Sequence, residues 1–569
     1  MDRRDNAETL QKGQFVESVL RAAEVHTYRI ELDTGQFLRA VVDQRGIDVV
    51  VAVIGPDGQK IIEVNSPNGS HGPEIVTLEA PVTGIYHLEI RAFDKQVAPG
   101  RYEVKIEQLL TAPQYRAYLD EQRAKQEAAI TWLAEHSIRL RTVEAGHGFE
   151  DMQPLKAVIG GARVVALGEA THGTREFSQF KHRMVEFLVS EMGFTVFGIE
   201  ATMPEAFDIN EYLLTGRGDP QKALAGLYFW TWDTEEILEM ILWMRRYNED
   251  PRHERKVKFF GFDMQSPQRA VKVVLNYLRR VDASQADEIR RLLFILANPL
   301  TVQDFRYLPE QKKKEIADCI ATLQTHFEEH KSGFVERTNL KEWAFARQHA
   351  QILAQFIEME HSDFWSSGIR DRAMAENIQW IMEQEGPDTK IVVWAHNGHV
   401  TAIWPPGGSG EPMGGLLRKR FRLDLVVFGF TFHQGSFQAL EAPIPSTRGL
   451  RTFTVGPTPA GSLDGVLAAA GLKMAAVDLR QVPKEGPVAE WFAVPRITRS
   501  LGAVYSEEFS DEYMQSEPVT RMYDALIFVE KTTAARALES GQRPASPRLA
   551  GPRNLKFEGP CPSVAVKSV

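Results

Sequence analysis

Cysteine is nearly missing from this chain: only Cys319 and Cys561 occur among 569 residues. That excludes a disulfide framework and a thiolate-built metal cage. An excess of basic residues is missing too. Lysine and arginine total 66 against 76 acids, a formal net charge of −10. No long basic run breaks the mixture, so a nucleic-acid partner is not expected. No apolar stretch reaches the length of a membrane span. The opening Met1-Asp2-Arg3-Arg4-Asp5 has no apolar signal core. The chain as written therefore reads as cytoplasmic, with a trimmed exported form left open. Common catalytic signatures are absent as well: no Gly-x-Ser-x-Gly elbow, no His-Glu-x-x-His and no phosphate loop.

The length calls for more than one domain. Residues 1–108 carry short alternating runs such as Thr27-Tyr28-Arg29-Ile30-Glu31-Leu32 and Ile85-Tyr86-His87-Leu88-Glu89-Ile90, cut by turns such as Gly55-Pro56-Asp57-Gly58. That pattern predicts an antiparallel β-sandwich. Residues 109–150 are rich in helix formers and read as a helical linker. Over 151–535, buried-looking strands alternate with amphipathic helices, which predicts an α/β domain with a mostly parallel sheet. The stretch 268–385 is helical throughout and reads as an insertion. The proline-bearing tail, 536–569, has no apolar periodicity and is expected to be disordered. The loop 404–410, rich in glycine and proline, reads as a mobile rim.

Four strands in the third region end on polar residues. Val164-Val165-Ala166-Leu167 leads into Gly168-Glu169-Ala170-Thr171-His172-Gly173. Thr195-Val196-Phe197-Gly198-Ile199 leads into Glu200. Phe259-Phe260-Gly261-Phe262 leads into Asp263, and Ile391-Val392-Val393-Trp394 into Ala395-His396-Asn397-Gly398-His399. Open α/β sheets bind ligands beyond the carboxyl ends of their strands. If these four are parallel neighbours, their acids and histidines converge on one cleft. Gly168 permits a sharp turn, and the helix that follows offers its N-terminus to negative charge.

A histidine titrates near neutrality and can take a proton from water. Glu169 or Glu200 can orient it, and His396 or His399 can donate to an oxyanion or a leaving oxygen. Trp230 and Trp232 can line an apolar pocket, and Asp263 is counted on the substrate side. Arg370 and Asp371 open a predicted helix and read as caps or salt-bridge partners, while His433 follows a strand that could bring it to the cleft. No resident cofactor or metal is expected. Two alternatives stay open: a hydrolase using zinc or manganese on the same cluster, and a non-catalytic protein binding a metal or haem-type ligand.

These motifs in this order, with Phe229-Trp230-Thr231-Trp232-Asp233-Thr234-Glu235-Glu236 and Arg370-Asp371-Arg372-Ala373-Met374-Ala375-Glu376-Asn377, resemble the erythromycin esterase family across most of 130–530. The resemblance implies hydrolysis of a small-molecule ester or lactone, a macrolide lactone first, by water activated on His172. It implies Glu169, Glu200, His396 and His399 as the remaining catalytic positions. Lys181 falls where some members place a cleft arginine, so it is counted as substrate-binding. The first region resembles the bacterial pre-peptidase C-terminal type of domain, which implies an accessory contact with a glycan or protein.

Overall fold

A computed structural model describes residues 7–66, 69–94, 96–298, 302–361, 368–404, 410–443 and 449–538. The expected rim at 405–409 and the tail from 539 lie outside the described residues. The chain divides into two compact units, Met1–Ala128 and Ala129–Val569, and the division falls inside the helix Ala112–His136.

The first unit is built from two sheets. One has five strands in the order Glu8–Thr9, Val25–Leu32, Gly84–Ala92, Val49–Ile54 and Lys60–Val64. The other has four, ordered Phe15–Leu20, Gly100–Leu110, Phe37–Arg45 and His71–Glu79. All pairings are antiparallel except that of the two-residue first strand. Alternate residues such as Leu38, Val42, Val51, Leu88 and Val104 form one core. This is the β-sandwich expected from the period-2 pattern.

The second unit holds a sheet of ten strands. Its main path runs Ile138–Arg139, Met474–Asp478, Ala525–Thr532, Leu425–Glu441, Val164–Leu167, Ile391–Trp394, Val196–Thr202 and Lys258–Asp263. From Ala525–Thr532 to Lys258–Asp263 every pair is parallel. The four motif strands are consecutive in that order, so their carboxyl ends share one edge.

Successive side chains on a strand point to opposite faces, and two separate cores follow from it. Val164, Ala166, Ile391, Val393, Leu425 and Val427 belong to one core. Val165, Leu167, Val392, Trp394, Val426 and Phe428 belong to the other. The helices between Asp263 and Ile391 supply about half of the first core, from Gln268–Val281 through Leu340–His361 to Ile369–Glu385. Among the described residues, no helix is long and apolar enough to cross a membrane.

Candidate active site

Beyond Val164–Leu167, Gly168 lets two loops touch. A Cβ there would lie 2.2 Å from Asn397 Oδ1. The Asn397 side chain accepts from Phe430 N at 3.0 Å and donates to Phe430 O at 2.7 Å, and its backbone N–H donates to Glu169 O at 2.9 Å. Close approach, rather than a left-handed backbone, is what requires glycine at this position.

Glu169 is 1% exposed. Its Oε1 lies 2.6 Å from His172 Nδ1; its Oε2 accepts from Lys181 Nζ at 2.6 Å and from Trp394 Nε1 at 2.7 Å. Burial opposes ionisation of Glu169, but Lys181 and His172 outweigh it and hold the carboxyl below its usual range. An ionised acceptor at Nδ1 assigns the His172 proton to that nitrogen. Nε2 then keeps its lone pair, and it has no hydrogen-bond partner among the described residues. Burial pulls the Lys181 ammonium down to about 8, with Glu169 resisting.

The His396 ring packs 5.0 Å from that of His172. Both of its nitrogens are held by backbone: Gly398 N donates to Nδ1 at 3.1 Å, and Nε2 donates to Leu501 O at 2.8 Å. Burial, then the neighbouring His172, pushes its pKa down to about 3. It is a neutral, fixed ring with no free nitrogen, so it is not the oxyanion or leaving-group donor that the sequence left open.

Glu200 accepts from His396 N at 2.9 Å and from Arg370 Nη2 at 2.5 Å. Burial works against its charge, but a protonated His399 and the Arg370 guanidinium pull the carboxyl well below the usual range. His399 Nδ1 lies 2.9 Å from Asp371 Oδ1, and its Nε2 lies 3.3 Å from Glu200 Oε1 and 2.7 Å from Arg370 Nη1. Burial disfavours a proton on His399, while Asp371 and Glu200 favour one and raise it to about 9. The guanidinium contact demands the opposite, because two N–H groups cannot face each other at 2.7 Å. The contact decides for the neutral ring in this arrangement; a second proton requires Arg370 to withdraw.

The sequence reading counted Lys181, Asp263, Trp230 and Trp232 on the substrate side. Lys181 and Asp263 are both 0% exposed. Lys181 is held by Glu169 and lies 4.1 Å from the Trp394 ring centroid; Asp263 accepts from Arg370 Nη2 at 2.9 Å and Met264 N at 2.7 Å. Closed off in this way, both brace the cluster from behind and are not positioned to touch a substrate. Trp232 is also buried; its Nε1 donates to Glu200 O at 3.0 Å, and its ring meets His172 edge-on at 6.1 Å. Trp230 is half-buried. His433 pairs instead with Thr458 Oγ1 at 2.8 Å.

Three members were missed in these roles. Arg370 and Asp371 are ion-pair partners as expected of a helix start, but their partners are the cluster itself. Trp394 counted only as an apolar strand residue. At the helix N-terminus after His172, the Arg175 N–H is already taken, donating to Thr533 O at 3.0 Å. Among the described residues, no three His, Cys, Asp or Glu side chains are arranged to hold a metal ion. The acid oxygens face Lys181, Arg370 and N–H groups instead.

A family model described as erythromycin esterase matches residues 189–532, a stretch that contains Glu200, Asp263, Arg370, His396 and His399. Glu169, His172 and Lys181 precede it. YbfO of Bacillus subtilis (strain 168), named as a hydrolase, is 26% identical over 433 residues, covering 71% of this chain and 90% of its own. Erythromycin esterase type II of Escherichia coli is 23% identical over 436 residues, covering 72% and 98%. A crystal structure of a Bacillus cereus protein matches with a TM-score of 0.65 at 26% identity, over 73% of this chain and 99% of the other. An erythromycin esterase variant solved in its open conformation matches with a TM-score of 0.53 at 18% identity, over 68% and 94%, a likeness of fold.

Proposed function

The chain belongs to the erythromycin esterase family, and on that premise we propose that it hydrolyses a carboxylic ester or lactone by histidine-activated water. The observation that carries the reading is the pairing of His172 Nδ1 with the ionised Glu169 at 2.6 Å, which leaves Nε2 as an unshared base. Water at Nε2 gives up a proton as its oxygen bonds to the ester carbonyl carbon. Glu169 stabilises the imidazolium that forms, as the acid of a triad does. The tetrahedral intermediate collapses as His172 returns the proton to the leaving oxygen, yielding an acid and an alcohol from an open ester or one hydroxy acid from a lactone. Of the two cations in the cluster, Lys181 is sealed from the cleft while the Arg370 side chain keeps 13% exposure. Arg370 is therefore the charge beside which an oxyanion is stabilised.

A macrolide lactone is the first substrate to test, supported by the name of the Escherichia coli relative. The reaction is proposed to need no metal. The test is mass spectrometry on macrolides, small lactones and aryl esters, with and without prior chelation. A gain of one water that is lost in His172→Ala supports the reading. Turnover of simple esters alone removes the macrolide; activity abolished by chelation and restored by zinc or manganese overturns the metal-free mechanism.

A further inference from the structure

After the strand Ala525–Thr532, the chain crosses two loops that are remote in sequence. Arg175 N donates to Thr533 O at 3.0 Å, and Ala535 N to Gly173 O at 2.9 Å. Glu235 N donates to Arg536 O at 2.8 Å, and Leu538 N to Asp233 O at 3.1 Å. Isolated bridges pair Thr174 with Ala534 and Thr234 with Ala537. Side chains repeat the pattern. Glu176 accepts from Thr533 N and Oγ1, both at 2.7 Å; Glu236 accepts from Arg536 N at 3.2 Å. Arg175 Nε lies 3.3 Å from Glu236 Oε1 and ties the loops directly. Gly173 follows His172, and Asp233 follows Trp232. The family match ends at 532, so these six residues lie just past it.

We propose that residues 533–538 are a positioning strap that fixes the loop of the His172 base against the loop that follows Trp232. The geometry is that of a short strand whose first half bonds one loop and whose second half bonds the other. A loop end free to move by an ångström loses alignment between base, water and ester, and misplacement on that scale costs about 100-fold in rate. The strap thus acts through His172 and Trp232 and touches no substrate. Its catalytic consequence rests on the proposed hydrolysis; its mechanical part does not.

The test uses the full chain with Thr533→Val, Thr533→Ser and Glu176→Ala. Amide hydrogen exchange is read at residues 173–175 and 233–235, with 391–394 as reference. Thr533→Val and Glu176→Ala should raise exchange in both loops together, leave the reference strand protected, and lower kcat on the competent ester about 10-fold or more. Thr533→Ser, which keeps the hydroxyl bonded to Glu176, should restore both readouts. Exchange that rises in one loop only, or not at all, overturns the strap. Loosening of both loops with unchanged kcat overturns its role in positioning. If the wild-type protein hydrolyses none of the esters, the functional reading fails, and the exchange data alone decide whether the strap couples the loops.

Discussion

Replacing Lys181 with methionine keeps much of its bulk against Trp394 and Phe430 but strips Glu169 of the ammonium paired with it. A buried carboxylate that loses its partner costs about 3–5 kcal/mol, so the melting temperature should drop. The catalytic effect should be larger than stability explains. Glu169 would take up a proton more readily, and His172 would lose the ionised partner that sets its tautomer. A pH profile of kcat/KM should show its acid limb moved to higher pH in Lys181→Met; an unmoved limb would mean that Lys181 does not hold the charge on Glu169. His172→Asn removes the proposed base and keeps the side chain polar. It should lower kcat by about 100-fold to 10,000-fold, the usual worth of a positioned base, with little change in melting temperature. Near wild-type turnover in this variant would remove His172 from the mechanism.

Gly173→Ala tests how tightly the elements around His172 are fitted. A Cβ at Gly173 would lie 2.0 Å from Gln438 O, on the backbone of the strand Leu425–Glu441. Backbone cannot move aside as a side chain does, so the cost should reach the upper part of about 1–3 kcal/mol. Denaturant unfolding should show the loss, and an unaltered midpoint would mean that the two elements part easily. Strands and their polar ends were legible in the sequence because each motif joins a short apolar run to its own acid or histidine. What lay out of reach was pairing across long separations. Trp394 donates to Glu169 from 225 residues away, and Arg370 reaches Glu200 across 170; nothing in the local spacing of either points inward. Lys181 sits on an amphipathic helix, and only the folded packing reveals that its ammonium faces the core. Residues 536–538 read as the start of a featureless tail because their bonds use backbone atoms, which no side-chain pattern encodes.

At the scale of the whole molecule, buried titratable groups outside the cluster should shape stability. Burial raises Glu205 and Glu517 to about 8, against about 4.3 for an exposed glutamate. Between those values the native state holds protons that the unfolded chain releases, so stability falls as pH rises toward 8, by up to about 1.4 kcal/mol per pH unit for each group. His182, His349 and His396 are pushed down by burial to about 4, 4 and 3. They work in the opposite sense, but only below about 6.5, where the unfolded chain takes up protons that the native state refuses. From pH 6.5 to 8 the glutamates act without that opposition, and the melting temperature of the wild type should decline. The double variant Glu205→Gln with Glu517→Gln should flatten the decline; parallel curves would remove both residues from the account. The cluster itself sets four carboxylates, Glu169, Glu200, Asp263 and Asp371, against the two cations Lys181 and Arg370. Its field is therefore net negative while its histidines are neutral. A neutral ester enters such a field without penalty, but cleavage turns its acyl half into an anion. Arg370 favours a developing oxyanion at close range, whereas a released carboxylate faces the whole cluster, so the acid product should inhibit weakly at neutral pH and progressively more as acidification neutralises it.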